Sequence, residues 1–343
     1  MTLSRRALLA ATAGVVGAPA FAQLPKPREE EPLILRAHRK GLVYGAVVPA
    51  ASLTNPVFGD ILADECGLIA TQGEADWAAL QPQPGRFDFS GFDRLANFAQ
   101  RRNLLFRPRS LVRHSGLPDW MAEAVMPASV GRTLAEHVGP VVARYRGRVH
   151  SWDIIGEAIE PAHGRADGLR VTPWLKAMGP RYIDLAFRLA RTIDRDALLA
   201  YSDAGLDAGT PEHAARRRAV VGLLEWLRGR GVPLDALSID SRLDIEAPFD
   251  GPAFRDFVRD VAGMGLRVIL TGLDVTAASR ADWAAERLGR YVETALGEKA
   301  VIAVISAGLA NQGGGHGLPL DGDLNRTAVW AALARAFDAT PAR

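Results

Sequence analysis

The chain has 343 residues, 48% of them hydrophobic and 23% charged, with a net charge of +2. That balance suits one large soluble domain and excludes a phosphate-tracking nucleic-acid binder or a polybasic membrane-surface protein. Cys66 is the only cysteine, which excludes an internal disulfide and a cysteine-based metal site.

Residues 1–22 read as an export signal. Ser4-Arg5-Arg6-Ala7-Leu8-Leu9 leads into an Ala-rich apolar run ending near Ala18. Ala20-Phe21-Ala22 then supplies the small-x-small pattern that a signal peptidase cuts. The paired arginines resemble a twin-arginine signal, against the alternatives of a plain secretory signal or a retained anchor. Cleavage would start the mature chain at Gln23 and, by removing Arg5 and Arg6, bring its charge to zero. A periplasmic or secreted location is expected. Residues 23–32 hold three prolines and three consecutive glutamates and read as a solvated linker. No later stretch is long and apolar enough to span a bilayer.

From Leu33 onward, strand-like and helix-like segments alternate. Apolar, β-branched runs predict strands over 42–48, 67–71, 104–112, 149–156, 198–203, 236–241, 267–275 and 301–306. Amphipathic spacing predicts helices over 56–65, 92–102, 133–146, 181–192, 212–230, 253–264, 281–296 and 326–337. Eight strand–helix pairs predict an α/β fold, a single-domain (β/α)8 TIM barrel over 33–343, since each crossover helix must cover a parallel sheet. A doubly wound open sheet is the alternative, but no G-x-G-x-x-G follows the first strand.

The run from Val149 to Glu160 carries the first chemical signal. Trp152, Ile154 and Ile155 stop at Gly156, and Glu157 follows at once. A buried strand ending in a carboxylate puts that acid at the C-terminal face of a barrel, where such folds keep their active sites. The plain alternative is a strand followed by a helix-capping glutamate. The seven histidines show no H-x-x-x-H or H-E-x-x-H spacing, so neither a metal nor a cofactor is expected. The acyl-transfer pattern G-x-S-x-G is absent as well.

Six local patterns then follow one another at barrel spacing. Trp77-x-x-Leu80-Gln81-Pro82 with Gly85-x-Phe87-x-Phe89 follows the second strand, and Phe106 to Ser115 covers the third. Tyr145-Arg146-Gly147-Arg148-Val149 leads to Trp152-Asp153-Ile154-Ile155-Gly156-Glu157-Ala158. Tyr201-Ser202-Asp203, Gly231-Val232-Pro233-Leu234-Asp235 and Thr271-Gly272-Leu273-Asp274-Val275 complete the series. In this order they are similar to the motifs of glycoside hydrolase family 10, the endo-β-1,4-xylanases, across essentially all of 33–337. The resemblance implies hydrolysis of O-glycosyl bonds in a β-linked polysaccharide by two carboxylates about 5–5.5 Å apart. By residue-level match Glu157 is the general acid/base, a role that needs a protonated acid when the bond breaks. The nucleophile position falls on Gly272, so covalent double displacement through it is impossible.

Other departures cluster in the same cleft. The family's Asn before the acid/base is Gly156, and its Gln-Ser-His on strand six is Asp240-Ser241-Arg242. Gln72-Gly73-Glu74-Ala75-Asp76-Trp77 replaces the segment that holds the sugar on the glycone side. Arg109 and Arg113 stand for a His and a Trp beside strand three, and Ala307 for a Trp on strand eight. Gln72, Asp76, Trp77, Arg109, Arg113, His114, Asp203 and Arg242 remain the candidate substrate contacts. Trp152 and Trp174 read as sugar platforms or core, and His114 as a substrate contact or a hydrogen-bonded core residue.

Asp240 and Asp274 project from neighbouring strands, with a hole expected between them at Gly272. A water in that hole, activated by Asp240 while Glu157 protonates the leaving oxygen, is the inverting arrangement, with carboxyl groups about 6.5–9.5 Å apart. Arg242 is expected to pair with Asp274 and hold it ionised. The structural alternative is that Asp240, Arg242 and Asp274 form only an ion-pair network. Arg109, Arg113 and Arg242 predict an acidic glycan as ligand unless Asp76, Asp240 and Asp274 consume them. Two function classes stay open: an altered glycosidase with ordinary xylanase activity weak or absent, or a non-catalytic carbohydrate-binding barrel linked to exopolysaccharide handling. In either case a monomer without a nucleic-acid partner is expected.

Overall fold

The computed structural model of the protein describes residues 31–276, 281–311 and 317–343. The export signal, most of the linker and His316 lie outside these residues. Eight strands run parallel: β1 (Val43–Val48), β2 (Leu68–Thr71), β3 (Leu105–Arg107), β4 (Ser151–Gly156), β5 (Leu198–Ala204), β6 (Ala236–Asp244), β7 (Arg267–Thr276) and β8 (Val301–Ser306). They pair in the order β3-β2-β1-β8-β7-β6-β5-β4. His150 N donates to Phe106 O (2.9 Å), Leu111 N to Asp153 O (2.9 Å) and Val112 N to Ile154 O (3.0 Å). These bonds lace the seam between β3 and β4. The expected (β/α)8 barrel is found.

Local chemistry accounts for the elements. All six residues of β4 are buried, as a parallel strand covered on both faces requires. Helix starts carry their caps in the sequence. Asn55 accepts from Val57 N and Phe58 N ahead of the helix Pro56–Glu65. Thr210 accepts from His213 N ahead of Pro211–Gly229. In each, a proline occupies the first turn, where its missing N–H costs nothing. The eight outer helices fall within about three residues of their expected bounds. Short helices such as Leu33–His38 and Trp77–Leu80 hold too few turns for periodicity to reveal them. Strand three was expected to reach Val112, but its ladder stops at Arg107 because Pro108 has no N–H to donate.

The core has two layers. A large cluster between sheet and helices includes Leu62, Phe92, Tyr145, Phe187, Leu224, Phe254 and Phe337. A smaller one of Val47, Leu68, Ala70, Ala200, Ala236, Ile269, Ala303 and Ile305 fills the bore. Below the mouth a polar group crosses that bore. Arg107 Nη1 donates to Ser151 Oγ (2.6 Å), its Nη2 pairs with Asp153 and Ser238 Oγ, and Ser238 Oγ donates to Asp153 Oδ1 (2.8 Å). A charge pair this deep ties β3, β4 and β6 at one level, and removing either partner leaves a buried charge costing about 3–5 kcal/mol. No helix among the described residues is long and apolar enough to cross a membrane.

Candidate active site

Strand ends deliver the chemistry to one face. Glu157 directly follows β4, and Asp203 sits near the end of β5. Asp240 and Arg242 lie in the last half of β6, Gly272 and Asp274 in that of β7. Gln72 and Asp76 follow β2, and Arg109, Arg113 and His114 follow β3. Arg109 Nη2 lies 2.8 Å from Asp240 Oδ2, and Arg113 Nη2 lies 3.3 Å from Glu157 Oε1. His114 Nδ1 is 3.5 Å from Glu157 Oε2, and Arg113 Nη1 is 3.9 Å from Asp76 Oδ1. The separate sequence motifs thus meet at one mouth.

Two glycines explain how the site is rebuilt. A Cβ at Gly272 would overlap Asp240 Oδ1, well inside the 3.0 Å that Cβ atoms keep from other atoms. The expected hole between Asp240 and Asp274 therefore does not exist; the Asp240 carboxylate fills it. Gly272 also has φ +60°, a conformation strained for any residue with a side chain. A Cβ at Gly156 would likewise overlap Ser110 Oγ. At both positions a side chain absent from one strand is replaced by a polar atom from its neighbour.

Asp240 is 7% exposed, and burial pushes its carboxyl above the usual range despite the pull of Arg109 and Arg242. Its Oδ1 has no hydrogen-bond partner. The expected pairing of Arg242 with Asp274 is corrected. The two are register partners on β6 and β7, but Arg242 is 64% exposed and its ion pair runs to Asp240 Oδ1 at 3.8 Å. Asp274 accepts from Val275 N (2.7 Å), and burial raises its carboxyl, outweighing the pull of that bond and of Arg242. Burial likewise raises Asp76, against Arg113 and Arg109. His114 is lowered, by burial first and Arg170 next, which keeps its ring neutral at neutral pH.

One candidate has a different place from that expected, and two others take the core reading. Trp77 is 2% exposed, donates Nε1–H to Gln81 Oε1 (3.1 Å) and stacks on His137 at 3.6 Å between centroids. It supports the β2 loop from below and offers no face to a sugar. Trp152 and Trp174 are buried too, their indole N–H groups donated to Asp194 Oδ2 (3.1 Å) and Arg113 O (3.2 Å). Gln72 stays exposed at the rim. The loop behind it is pinned by Glu74, which accepts from Ala50 N (2.6 Å) and Gln72 N (3.0 Å).

Asp203 is fully buried rather than open to substrate, and burial pushes its carboxyl up to about 7. It adjoins a cavity of about 220 Å³ shared with Glu157, Arg170, His213 and Arg216. An acid with a raised folded pKa takes up a proton on folding, here between its unfolded value of about 4 and 7. Its contribution is therefore most favourable at low pH and is lost as pH rises through that window. Urea midpoints of the wild type and Asp203→Asn, measured between about pH 8 and pH 5, should diverge in favour of the wild type as pH falls. A pH-independent difference would show that Asp203 titrates normally. Arg170 and Arg216, which complete the mouth, escaped the sequence reading because nothing local marks them, while Tyr201 and Ser110 lie within matched motifs that gave them no separate role.

Comparison with known proteins agrees with this geometry. A family model, glycosyl hydrolase family 10, matches residues 33–312. Endo-1,4-beta-xylanase A of Caldicellulosiruptor sp. (strain Rt8B.4) is 28% identical over 266 residues, 74% of this chain and 38% of that protein. Endo-1,4-beta-xylanase C of Paenibacillus barcinonensis is 31% identical over 216 residues, 59% of this chain and 19% of that protein. The chain thus spans well under half the length of these two relatives. The crystal structure of native xylanase 10B from Thermotoga maritima superposes with a TM-score of 0.82 at 23% identity, covering 90% of this chain and 98% of that one. That likeness shows the fold, while the family match rests on the sequence itself: this chain belongs to glycosyl hydrolase family 10.

Proposed function

We propose that this protein is a glycoside hydrolase acting on a β-linked polysaccharide, with Glu157 as general acid and Asp240 as general base. The observation that carries this reading is the overlap of Asp240 Oδ1 with a Cβ at Gly272. A glutamate at Gly272 would begin there and project its carboxylate three bonds further into the cleft. Asp240 sets its oxygen back near the root of that side chain, a retreat of up to about 4 Å for three zigzag bonds of roughly 1.5 Å. That leaves room for one water molecule, the spacing that distinguishes inverting from retaining glycosidases. A water between Asp240 and the sugar gives its proton to Asp240 as its oxygen bonds to the anomeric carbon. Glu157 gives its proton to the departing oxygen as the glycosidic bond breaks.

The electrostatics support this division of work. Arg109 holds Asp240 through Oδ2, and Oδ1, facing Arg242 at 3.8 Å, makes no hydrogen bond. The two relatives compared above are endo-1,4-beta-xylanases, so xylan is the first substrate to try, with a weak rate because the sugar-facing residues differ. Of the three guanidiniums expected to attract uronic acids, Arg109 and Arg113 are engaged internally, and Arg242 alone is mostly exposed. An acidic substituent would be read by Arg242. The export-signal pattern read in residues 1–22 supports a periplasmic or secreted location for this activity.

A second reading, a carbohydrate-binding barrel without turnover, draws on the ion pairs Arg113–Glu157 and Arg109–Asp240, which engage both carboxylates. Proton NMR of products released from neutral and uronate-bearing β-1,4-linked polysaccharides separates the two. The expected result is slow release in which the α-anomer appears first. Release of the β-anomer would refute the water-filled gap, and binding without release would establish the second reading.

A further inference from the structure

Glu157 has φ +54°, one of three non-glycine residues in the left-handed region among those described. The other two, Asn103 and Leu324, are a helix C-cap and a loop residue. A side-chain-bearing residue held there is strained and persists only where its surroundings over-determine it.

They do so here. Glu157 N donates to Ser202 O (2.8 Å), Ala158 N to Tyr201 Oη (3.2 Å) and Ile159 N to Asp203 Oδ2 (3.3 Å). Three successive amides are thus taken by three successive residues of β5. The carbonyls face the other way, and each is taken too. Glu157 O accepts from Arg170 Nε (2.8 Å), Ala158 O from Arg170 N (2.7 Å) and Ile159 O from Arg216 Nη1 (2.6 Å). Glu160 fixes both arginines, at 2.9 Å from Arg216 and 3.1 Å from Arg170. Asp203 anchors the arrangement: it also accepts from Tyr201 Oη and Ala204 N (2.9 Å) and lies 3.6 Å from Arg216.

We infer that Asp203 is a positioning residue for Glu157, which with Tyr201 clamps the backbone of residues 157–159 so that the Glu157 carboxylate enters the cleft in one orientation. This goes beyond its expected role as a substrate contact. It rests on the reading of Glu157 as the proton donor, while the clamp itself can be measured without any turnover. Burying a carboxyl group this completely is costly, and burial alone gives the barrel no return on it. The return is a carboxylate that does not rotate away from the leaving oxygen, where an error of about 1 Å costs about 100-fold in rate.

The test compares the mature protein with Asp203→Ala, Asp203→Asn and Tyr201→Phe. Amide hydrogen exchange at Ala158 and Ile159, read by NMR, reports the clamp directly. We expect Asp203→Ala to speed exchange at Ile159 by about tenfold or more, and Tyr201→Phe to do so mainly at Ala158. Asn retains an acceptor for Ile159 N and should keep exchange there slow. In the same series kcat should fall by about tenfold or more in Asp203→Ala with KM little changed, and recover largely in Asp203→Asn. A raised KM at constant kcat would return Asp203 to substrate binding, and unchanged exchange at Ile159 in Asp203→Ala, or at Ala158 in Tyr201→Phe should the alanine variant not fold, would overturn the clamp. A wild type that cleaves no glycan sinks the hydrolase reading and leaves the exchange result to judge the clamp.

Discussion

Gly272→Ala should destabilise this barrel by about 3 kcal/mol or more, an effect large for one methyl group. The new Cβ overlaps Asp240 Oδ1, and φ +60° adds about 1 kcal/mol of left-handed strain. Moving the Asp240 carboxylate aside also breaks its 2.8 Å bond to Arg109 and leaves both charges poorly paired in a nearly closed site. Combined with Asp240→Ala, which removes the collision, the substitution should cost much less than the sum of the two single changes. Urea denaturation of the four proteins gives the coupling directly, and we expect about 2 kcal/mol. Additive effects would mean that Asp240 does not fill the space at Gly272. By the same collision, Gly272→Glu alone should not create xylanase activity.

Loss of either proposed catalytic carboxylate should nearly abolish hydrolysis of any responsive glycan. Glu157→Gln removes the proton delivered to the leaving oxygen and should reduce kcat by about 10³-fold, within the range of general acid–base catalysis. Asp240→Asn keeps the shape of the side chain and a contact for Arg109 but cannot take a proton from water, so a similar loss is expected. The double variant should be little worse than either single one, because the two groups act in one step. The pH profile supplies a further check. Asp240 serves as base only when ionised, and burial raises its carboxyl, so activity should fall on acidification at a higher pH than for a free aspartate. Wild-type activity that survives Asp240→Asn with its acid limb unmoved would remove Asp240 from the mechanism.

Much of this molecule is legible in its amino acids alone. Two-sided burial of parallel strands imposes apolar runs, and the covering helices impose a 3.6-residue period, so the eight-fold alternation is written locally. The same holds for Asn55-Pro56 and Thr210-Pro211, where cap and first turn adjoin in the chain. Glu157 could be found because it abuts an apolar strand and a short motif, both local signals. The absence of a side chain at Gly272 is equally plain in the sequence.

What fills that absence is not. Asp240 and Gly272 lie on different strands, and the sequence does not say whether a missing side chain leaves a hole or admits a neighbour. Packing at interior density decides it, and here it brings Asp240 Oδ1 into the vacant position. The partners of the arginines were undetermined for a similar reason. A guanidinium on a long side chain reaches several carboxylates, and only the closed barrel selects Asp240 for Arg109 and Glu157 for Arg113. Asp203 is the furthest case. As one letter in Tyr201-Ser202-Asp203 it looks like a cleft residue, yet it is buried and accepts from the amide of Ile159 beyond the adjoining strand end. Sequence determined which carboxylates stand at the mouth because strand ends are local; tertiary structure alone determined what each one touches, because those contacts cross strands far apart in the chain.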